Sequence, residues 1–511
     1  MLKLVLGGSG SGKTTLLYAR IKARAEAGQR SILLVPEQFT SSTEGRIYRE
    51  LGDALSGMVD SYSFTSLAEH ILSAEGGAAV QTLSDAGRAV LVRRTLEELQ
   101  DTVQYYYRHR RSAAFCQMAA ETIDELKSAG LSGQQLYRLA QGCGSGSGKL
   151  TELALILQGY ETLLASTGMD PSDRLEAALA RGSLPEFLQD RAVFIDEFDT
   201  FNAPKKRLLA ALLTALPQVT VALCDDGAPL VPGDTGLFAG AKVVAAQLRQ
   251  LARKSGTEAA APELLRRDLR HKDAPGLAAV AALLEGNGTE VTQAPEVRLF
   301  PAASREEEAR CAAAAIRRLM RKGVRCGKIA VVCRDIAKYR AAVRYEFRMA
   351  DIPLYCDEPT TPEFSAPATA VRALLALLRG ADMTEQLTVL AKTGLCALSE
   401  EQVCALENYA YTWSPNAAAW RAEFTKNPKG FGENELTDED RQNLAWAEDA
   451  RRKLVDAVDT LRGKVKGGNA EQISRAVYFC LKELGAEEQQ AGLVEDIRAA
   501  RGIPAAEEAA R

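Results

Sequence analysis

Leu2-Lys3-Leu4-Val5-Leu6, then Gly7-Gly8-Ser9-Gly10-Ser11-Gly12-Lys13-Thr14, then Thr15-Leu16-Leu17-Tyr18 is the stretch that decides the fold. The apolar run reads as a buried strand and the residues after Thr14 read as helix. Strand, G-x-x-x-x-G-K-T and helix, in that order, make a phosphate-binding loop (P-loop) in the context it requires. The glycines let the backbone curl until its N–H groups point inward at a phosphate, and the helix adds its positive end. This assigns Gly7, Gly8, Ser9, Gly10, Ser11, Gly12, Lys13, Thr14 and Thr15 to binding a nucleotide through its phosphates. Lys13 would reach the β- and γ-phosphates, and the Thr14 hydroxyl would take a place on Mg²⁺. The motif announces a nucleotide and is silent on hydrolysis.

Further along, Ser31-Ile32-Leu33-Leu34-Val35 is a second buried strand, stopped by Pro36. Glu37-Gln38-Phe39-Thr40 follows at its C-terminal end, where open α/β sheets place ligand contacts. Gln38 and Thr40 carry hydrogen-bonding groups and Phe39 a ring that suits a base, but the same residues also suit an ordinary loop entering a helix at Ser41/Ser42. Val59-Asp60-Ser61-Tyr62-Ser63 alternates as a third strand, and Phe64-Thr65-Ser66 leads into a helix that Thr65 or Ser66 would cap. Arg191-Ala192-Val193-Phe194-Ile195-Asp196-Glu197-Phe198-Asp199 is the second strong signal, a hydrophobic strand ending in two acids. Asp196 would hold Mg²⁺, and Glu197 would orient or deprotonate an attacking water if the site hydrolyses. Val219 to Cys224 is another buried strand.

Between these strands, from about Gln81 to Arg181, the apolar spacing turns helical. Tyr105-Tyr106-Tyr107-Arg108-His109-Arg110-Arg111 lies in this block. Interleaved rings and cations suit either a nucleic-acid strand or a solvated helix end. Gly142-Cys143-Gly144-Ser145-Gly146-Ser147-Gly148-Lys149 imitates a second phosphate loop, but Leu150 replaces the Ser/Thr and no strand precedes it, so it reads as linker. A second α/β unit begins near Glu296-Val297-Arg298-Leu299-Phe300, with a helix from Glu306 to Lys322, a strand at Ile329-Ala330-Val331-Val332-Cys333, a helix from Tyr339 to Met349 and a closing segment at Ile352-Pro353-Leu354-Tyr355. From Pro362 the chain reads as helix and loop.

Length 511 suggests about three domains. The net charge of −4 excludes a global basic footprint, so nucleic acid would be held by local patches or a companion subunit. Ten cysteines include no C-x-x-C, and the three histidines are scattered, so no zinc or iron–sulfur ligand set is visible. Dispersed cysteines without a signal peptide predict reduced thiols in a cytoplasmic protein. No run approaches the ~18 apolar residues of a membrane span.

The two nucleotide signals, Leu34-Val35-Pro36-Glu37-Gln38-Phe39-Thr40, Tyr62-Ser63-Phe64, Lys149-Leu150 through Tyr160, Ile329 to Asp335, Ile352-Pro353, and Lys392-Thr393-Gly394-Leu395 with Leu406-Glu407-Asn408-Tyr409 together resemble the N-terminal part of the AddB/RexB subunit of bacterial helicase–nucleases, which process DNA double-strand breaks for recombination. The resemblance implies an α/β fold of P-loop NTPase type, a UvrD-like superfamily 1 helicase fold with two RecA-like cores and helical insertions. The first core would be 1–80 and 186–285, its insertion 81–185, the start of the second core 286–360, and a truncated second insertion 361–511. It implies ATP and Mg²⁺ as cofactors, an AddA-type helicase–nuclease subunit as heterodimer partner, single-stranded DNA and duplex ends as ligands, and no membrane. In that family the partner translocates, and this subunit scans the passing strand for a recombination hotspot (Chi). Gln38, Thr40, Phe64 and Phe198 match positions lining that strand path.

Departures from the family pattern carry their own expectations. Ser66 and Ser128 stand where relatives can carry arginine. Glu197 supplies an acid where the family often has glycine, which favours hydrolysis. The family continues into a nuclease domain with a 4Fe–4S cluster, and its arginine-bearing late helicase motifs follow the second insertion. The resemblance therefore implies a piece of a longer chain, without that cluster, that neither cuts DNA nor hydrolyses ATP fast. Three readings follow: a DNA-scanning subunit, a DNA-stimulated ATPase using Lys13, Asp196 and Glu197, and a small-molecule kinase. The 183 positions between Lys13 and Asp196 are too many for a compact kinase and suit a helicase-type insertion. Asp225-Asp226-Gly227 lacks the glutamine with which motor helicases sense the γ-phosphate.

Overall fold

The computed structural model describes residues 1–74, 82–144, 146–180, 186–286, 288, 293–356, 364–432 and 435–501. The chain divides into two compact units, Met1–Phe300 and Pro301–Arg511.

The first unit is built on one parallel sheet. Its strands are β1 (Leu2–Gly7), β2 (Ser31–Leu34), β3 (Val59–Tyr62), β4 (Ala192–Ile195), β5 (Gln218–Cys224) and β6 (Glu263–Leu265), in the order β3-β2-β4-β5-β1-β6. Parallel strands are joined by crossovers that cover both faces, so the central strands are apolar along their whole length. Every residue of β2 and β4 is buried. The period of two sends Leu4, Leu6, Ile32, Leu34, Val193 and Ile195 into one core and Val5, Leu33, Ala192 and Phe194 into the other. Helices α1 (Lys13–Glu26), α2 (Thr40–Leu51) and α3 (Asp53–Ser56) cover the Val5 face. Helix α4 (Phe64–Ala74) covers the Leu4 face through Leu67 and Ile71. Its cap is Ser63, ahead of the Thr65 or Ser66 expected: Ser66 N–H donates to Ser63 Oγ at 3.0 Å, and Ser63 N–H donates back to Ser66 Oγ at 2.8 Å.

Helices α5 (Asp85–Glu98), α6 (Ala113–Ser128), α7 (Gly133–Gln141), α8 (Ser147–Thr167) and α9 (Arg174–Leu179) then interrupt the sheet. Helices α5, α6 and α8 share a core of their own, including Leu96, Ile123, Leu157 and Tyr160. A bridge between Thr82 and Met169 joins the two ends of this excursion. The edges expected for it, at Gln81 and 181–185, lie outside the described residues. Helix α8 begins at Ser147, inside the stretch read as linker. Helices α10 (Ala203–Ala215) and α11 (Ala239–Lys254) complete the cover of the Leu4 face, and α12 (Pro275–Leu284) follows β6.

The second unit is helical among the described residues. Helices α13 (Arg305–Arg321) and α14 (Ile336–Met349) close on each other over Ala309, Ala313, Ile316, Val343 and Phe347. Helices α15 (Ala366–Leu378), α16 (Met383–Ala391), α17 (Glu400–Trp413), α18 (Ala417–Arg421), α19 (Asp438–Val465) and α20 (Ala470–Glu483) enclose a larger core around Leu374, Leu387, Leu406, Trp420 and Leu454, and α21 (Ala486–Arg501) follows. The strands expected at 296–300 and 329–333 do not form, and 352–355 is likewise unpaired. Leu299 is 94 % and Val332 91 % exposed. An apolar alternation equips a segment for pairing, but only a neighbouring strand turns it into one. The helical pattern expected after Ile503 lies outside the described residues.

Candidate functional site

The sheet delivers its loops at the C-terminal ends of parallel strands, where open α/β sheets bind ligands. The loop after β1 turns through Gly10 and Gly12, whose φ angles of 80° and 91° lie in the left-handed region. Gly7 is required by space: a Cβ there would lie 2.4 Å from Ser11 Oγ and 2.7 Å from Leu265 O. Lys13 folds back over this loop, its Nζ donating to Gly7 O and Gly8 O at 2.8 Å each. Ser11 Oγ is buried and has no hydrogen-bond partner among the described residues. An unpartnered hydroxyl inside a curled glycine loop fits a phosphate oxygen.

Two strands away, Asp196 follows the last residue of β4 and is 5 % exposed. Its carboxylate accepts Glu197 N–H at 3.0 Å and shares the cleft with the Thr14 side chain. Burial pushes the Asp196 carboxyl up, while Thr14, the Glu197 amide, Lys13 and Arg46 oppose the rise. Glu197 holds a left-handed φ of 65°, unusual for a residue with a Cβ. Burial, then the neighbouring Asp196, raises its carboxyl against the pull of Arg46. No group of three or more His, Cys, Asp or Glu among the described residues is placed to hold a metal ion. Thr14 and Asp196 do bring two oxygens together, and Mg²⁺ takes one or two protein oxygens and completes its shell with phosphate and water.

These residues line one cleft of about 520 Å³, with Ser9, Gly10, Gly12, Lys13, Thr14 and Thr15 on one wall and Asp196, Glu197 and Phe198 on another. Gly7 is not on its wall, and Gly8 and Ser11 line an adjoining cavity of about 390 Å³.

Six residues of the cleft have no role in the sequence reading: Arg46, Asp199, Ala222, Cys224, Leu269 and Arg270. Arg46 projects from α2, its guanidinium 4.7 Å from the centre of the Tyr18 ring. Leu269 and Arg270 come from the loop after β6, which lies on the glycine loop. Leu269 N–H donates to Gly10 O at 3.0 Å, and the Arg270 guanidinium donates to Ser9 Oγ at 3.3 Å. The available signal is Leu264-Leu265 followed by Arg266-Arg267-Asp268-Leu269-Arg270-His271, a short apolar pair delivering a basic loop.

The four residues matched to a DNA path divide into two pairs. Strands β2 and β4 are neighbours, with Leu34 opposite Ile195, so the segments carrying Gln38 and Phe198 leave adjacent strand ends. Gln38 is exposed on a short 3-10 turn, and the Thr40 hydroxyl donates to Glu37 O at 2.9 Å within that turn. Phe64 and Phe198 meet edge to face with ring centres 5.2 Å apart, and Phe201 lies 5.9 Å from Phe64. Phe64 is 2 % and Phe198 8 % exposed, both within the same core, and of the two only Phe198 borders the cleft.

No helix among the described residues is long and apolar enough to cross a membrane. A family model described as ADDB, N-terminal, matches residues 4–281. The chain is 30 % identical over 542 residues to the B subunit of the ATP-dependent helicase/deoxyribonuclease of Moorella thermoacetica, covering 99 % of this chain and 46 % of the relative. The protein of the same description from Desulforudis audaxviator is 29 % identical over 510 residues, covering 94 % and 44 %. One from Clostridium perfringens is 25 % identical over 481 residues, covering 91 % and 42 %. The chain thus spans less than half the length of these relatives.

Proposed function

The chain belongs to the ADDB N-terminal family, and on that premise we propose that it is the ATP-binding, DNA-contacting part of the B subunit of an ATP-dependent helicase/deoxyribonuclease. The observation that carries this reading is the meeting of Lys13, Thr14, Asp196, Glu197 and Phe198 at one cleft. Lys13 and the amides of the glycine loop take phosphate oxygens, and Thr14 with Asp196 offers two oxygens to Mg²⁺. Bound ATP would bring negative charge into a cleft lined by Lys13, Arg46 and Arg270. Phe198, packed on Phe64 and Phe201 and 8 % exposed, borders the cleft where a passing base would meet it, and Gln38 offers an amide to base edges. The fold is read as the UvrD-like superfamily 1 type, its partner as an AddA-type helicase–nuclease subunit, and the strand as one scanned for a hotspot (Chi) in recombinational repair.

The test measures a fluorescent ATP analogue and a labelled single-stranded oligonucleotide on one protein. Phe198→Ala is expected to weaken the oligonucleotide at least about five-fold and leave the nucleotide untouched. Unchanged DNA affinity would remove Phe198 from the strand path. Cys224 provides an independent readout, because it is exposed and sits on the cleft wall. MgATP is expected to slow its alkylation several-fold, followed by peptide mass mapping, while exposed Cys143 and Cys404 react at unchanged rates.

Glu197 favours a second reading, a DNA-stimulated ATPase. Its carboxyl lines the cleft, and burial with the neighbouring Asp196 raises it above its ordinary value. On this reading Glu197→Gln lowers DNA-stimulated turnover by about 10² to 10⁴ while ATP still binds. A wild-type chain that binds ATP and shows no turnover with DNA excludes it.

A further inference from the structure

The Tyr105–Arg111 segment, between α5 and α6, is built as a site. Three successive backbone amides, those of Gln104, Tyr105 and Tyr106, donate to the Glu152 carboxylate of α8 at 2.8 to 3.2 Å. Glu152 is 7 % exposed, so its charge is spent on ordering this loop and not on neutralising the cations around it. Behind the loop Tyr106 stacks on Phe115 at 5.9 Å with planes 22° apart, and the His109 ring lies 5.3 Å from Phe115. Tyr105 is 57 % exposed, and its ring stands against Gly148, where an added Cβ would be 3.5 Å away. These rings border a cavity of about 690 Å³ whose rim carries Arg108 and Lys149. Among the described residues, Arg108, Arg111 and Lys149 have no ion-pair partner.

We propose that this cavity is a separate contact for single-stranded DNA, in which unstacked bases lie against Tyr105 and the Tyr106–Phe115 pair while Arg108 and Lys149 take phosphates. Exposed rings beside uncompensated cations are what a flexible polyanion with flat bases needs, and the volume is that of a ligand pocket. An acidic peptide would use the cations and leave the rings idle. The site is remote from Phe198. Helix α6 carries Phe115 at the cavity, and a Cβ added at Gly130, just past its other end, would meet Ala203 of α10 at 2.7 Å. From Phe115 to Lys127 the helix rises about 18 Å. The inference rests on the DNA-contact half of the proposed function and is independent of the nucleotide half.

The test titrates a labelled oligo-dT against the full chain, comparing wild type with Tyr105→Ala, Arg108→Glu/Lys149→Glu and Phe198→Ala, with ATP-analogue binding measured in each. Tyr105→Ala is expected to weaken oligo-dT at least about five-fold. The double charge reversal is expected to flatten the slope of log affinity against log salt by about 1.4, from two lost phosphate contacts. ATP-analogue affinity stays as in wild type. Unchanged oligo-dT affinity and slope in both insertion variants, with loss in Phe198→Ala, would overturn this site and leave the proposed function standing. A charge-reversal effect with a neutral Tyr105→Ala would also overturn it, in favour of a polyanion held without stacking. A wild-type chain that binds no oligo-dT overturns both. Loss of the Phe198→Ala effect alone removes the cleft from the DNA path and supports this cavity.

Discussion

Lys13→Ala lowers affinity for MgATP by at least about a hundredfold and leaves the fold intact. The Lys13 ammonium is held by two carbonyls of the glycine loop, Gly7 and Gly8, at 2.8 Å each. It is therefore stationed where phosphate oxygens would replace those carbonyls. A charge-assisted hydrogen bond contributes about 1.5–3 kcal/mol, and Lys13 is positioned to make two. Losing about 3 kcal/mol is roughly two orders of magnitude in dissociation constant. The fold is spared because Lys13 opens α1, where alanine is a good helix former, and the apolar face of that helix is Leu17, Tyr18 and Ile21. Isothermal titration gives the affinity, and the urea midpoint gives the stability. An unchanged dissociation constant would mean that the loop takes no phosphate; an equal fall in both quantities would mean that Lys13 holds the loop and not a ligand.

The first sheet is legible because its strands are apolar on both faces and end in diagnostic loops. Gly7 to Thr14 and Asp196-Glu197 announce themselves at β1 and β4 without reference to the rest of the chain. Strand β6 is not legible: three residues give no period to read, and it exists because β1 offers an open edge, pairing Val5 with Glu263. With it goes Arg270, brought to Ser9 across 261 positions by a pairing that no local pattern encodes. Arg46 is hidden for another reason, being one of several charges on an amphipathic helix. The stretches at 296–300 and 329–333 show the opposite error. Their β-branched and apolar residues satisfy every local rule for strands, and the local rules say nothing of whether a neighbour is there to pair with them. Phe64 matches a base-contacting position in sequence, but it is buried against Phe198 and does not border the cleft.

Asp170→Ala is expected to cost about 3–5 kcal/mol and to loosen the helical insertion while the sheet below keeps its nucleotide. Asp170 is fully buried and sits where the chain returns from α8 toward α9. Its carboxylate accepts the Tyr160 hydroxyl at 2.7 Å and the Lys127 ammonium at 2.8 Å, and Arg88 Nε stands 3.7 Å away. One acid thus ties α5, α6 and α8 together. Burial works against the charge on Lys127, yet its hydrogen bonds to Asp170 and Asp173 hold the ammonium above its ordinary value. Removing the acid strands the Tyr160 hydroxyl and leaves Lys127 and Arg88, each with only 10 % of its side chain exposed, on weaker partners. Leaving a buried charge without its counterion is costlier than never having had the pair. The double variant Asp170→Leu/Lys127→Met should therefore be more stable than the sum of its single losses predicts, by at least about 1 kcal/mol. The consequence reaches function, because the same three helices hold the Tyr105–Arg111 loop through Glu152. In Asp170→Ala, oligo-dT affinity at that loop should fall and ATP-analogue affinity should not. A urea midpoint within about 1 kcal/mol of wild type, or additive losses in the double variant, would reduce Asp170 to a satisfied bystander and leave the insertion's rigidity to its apolar core.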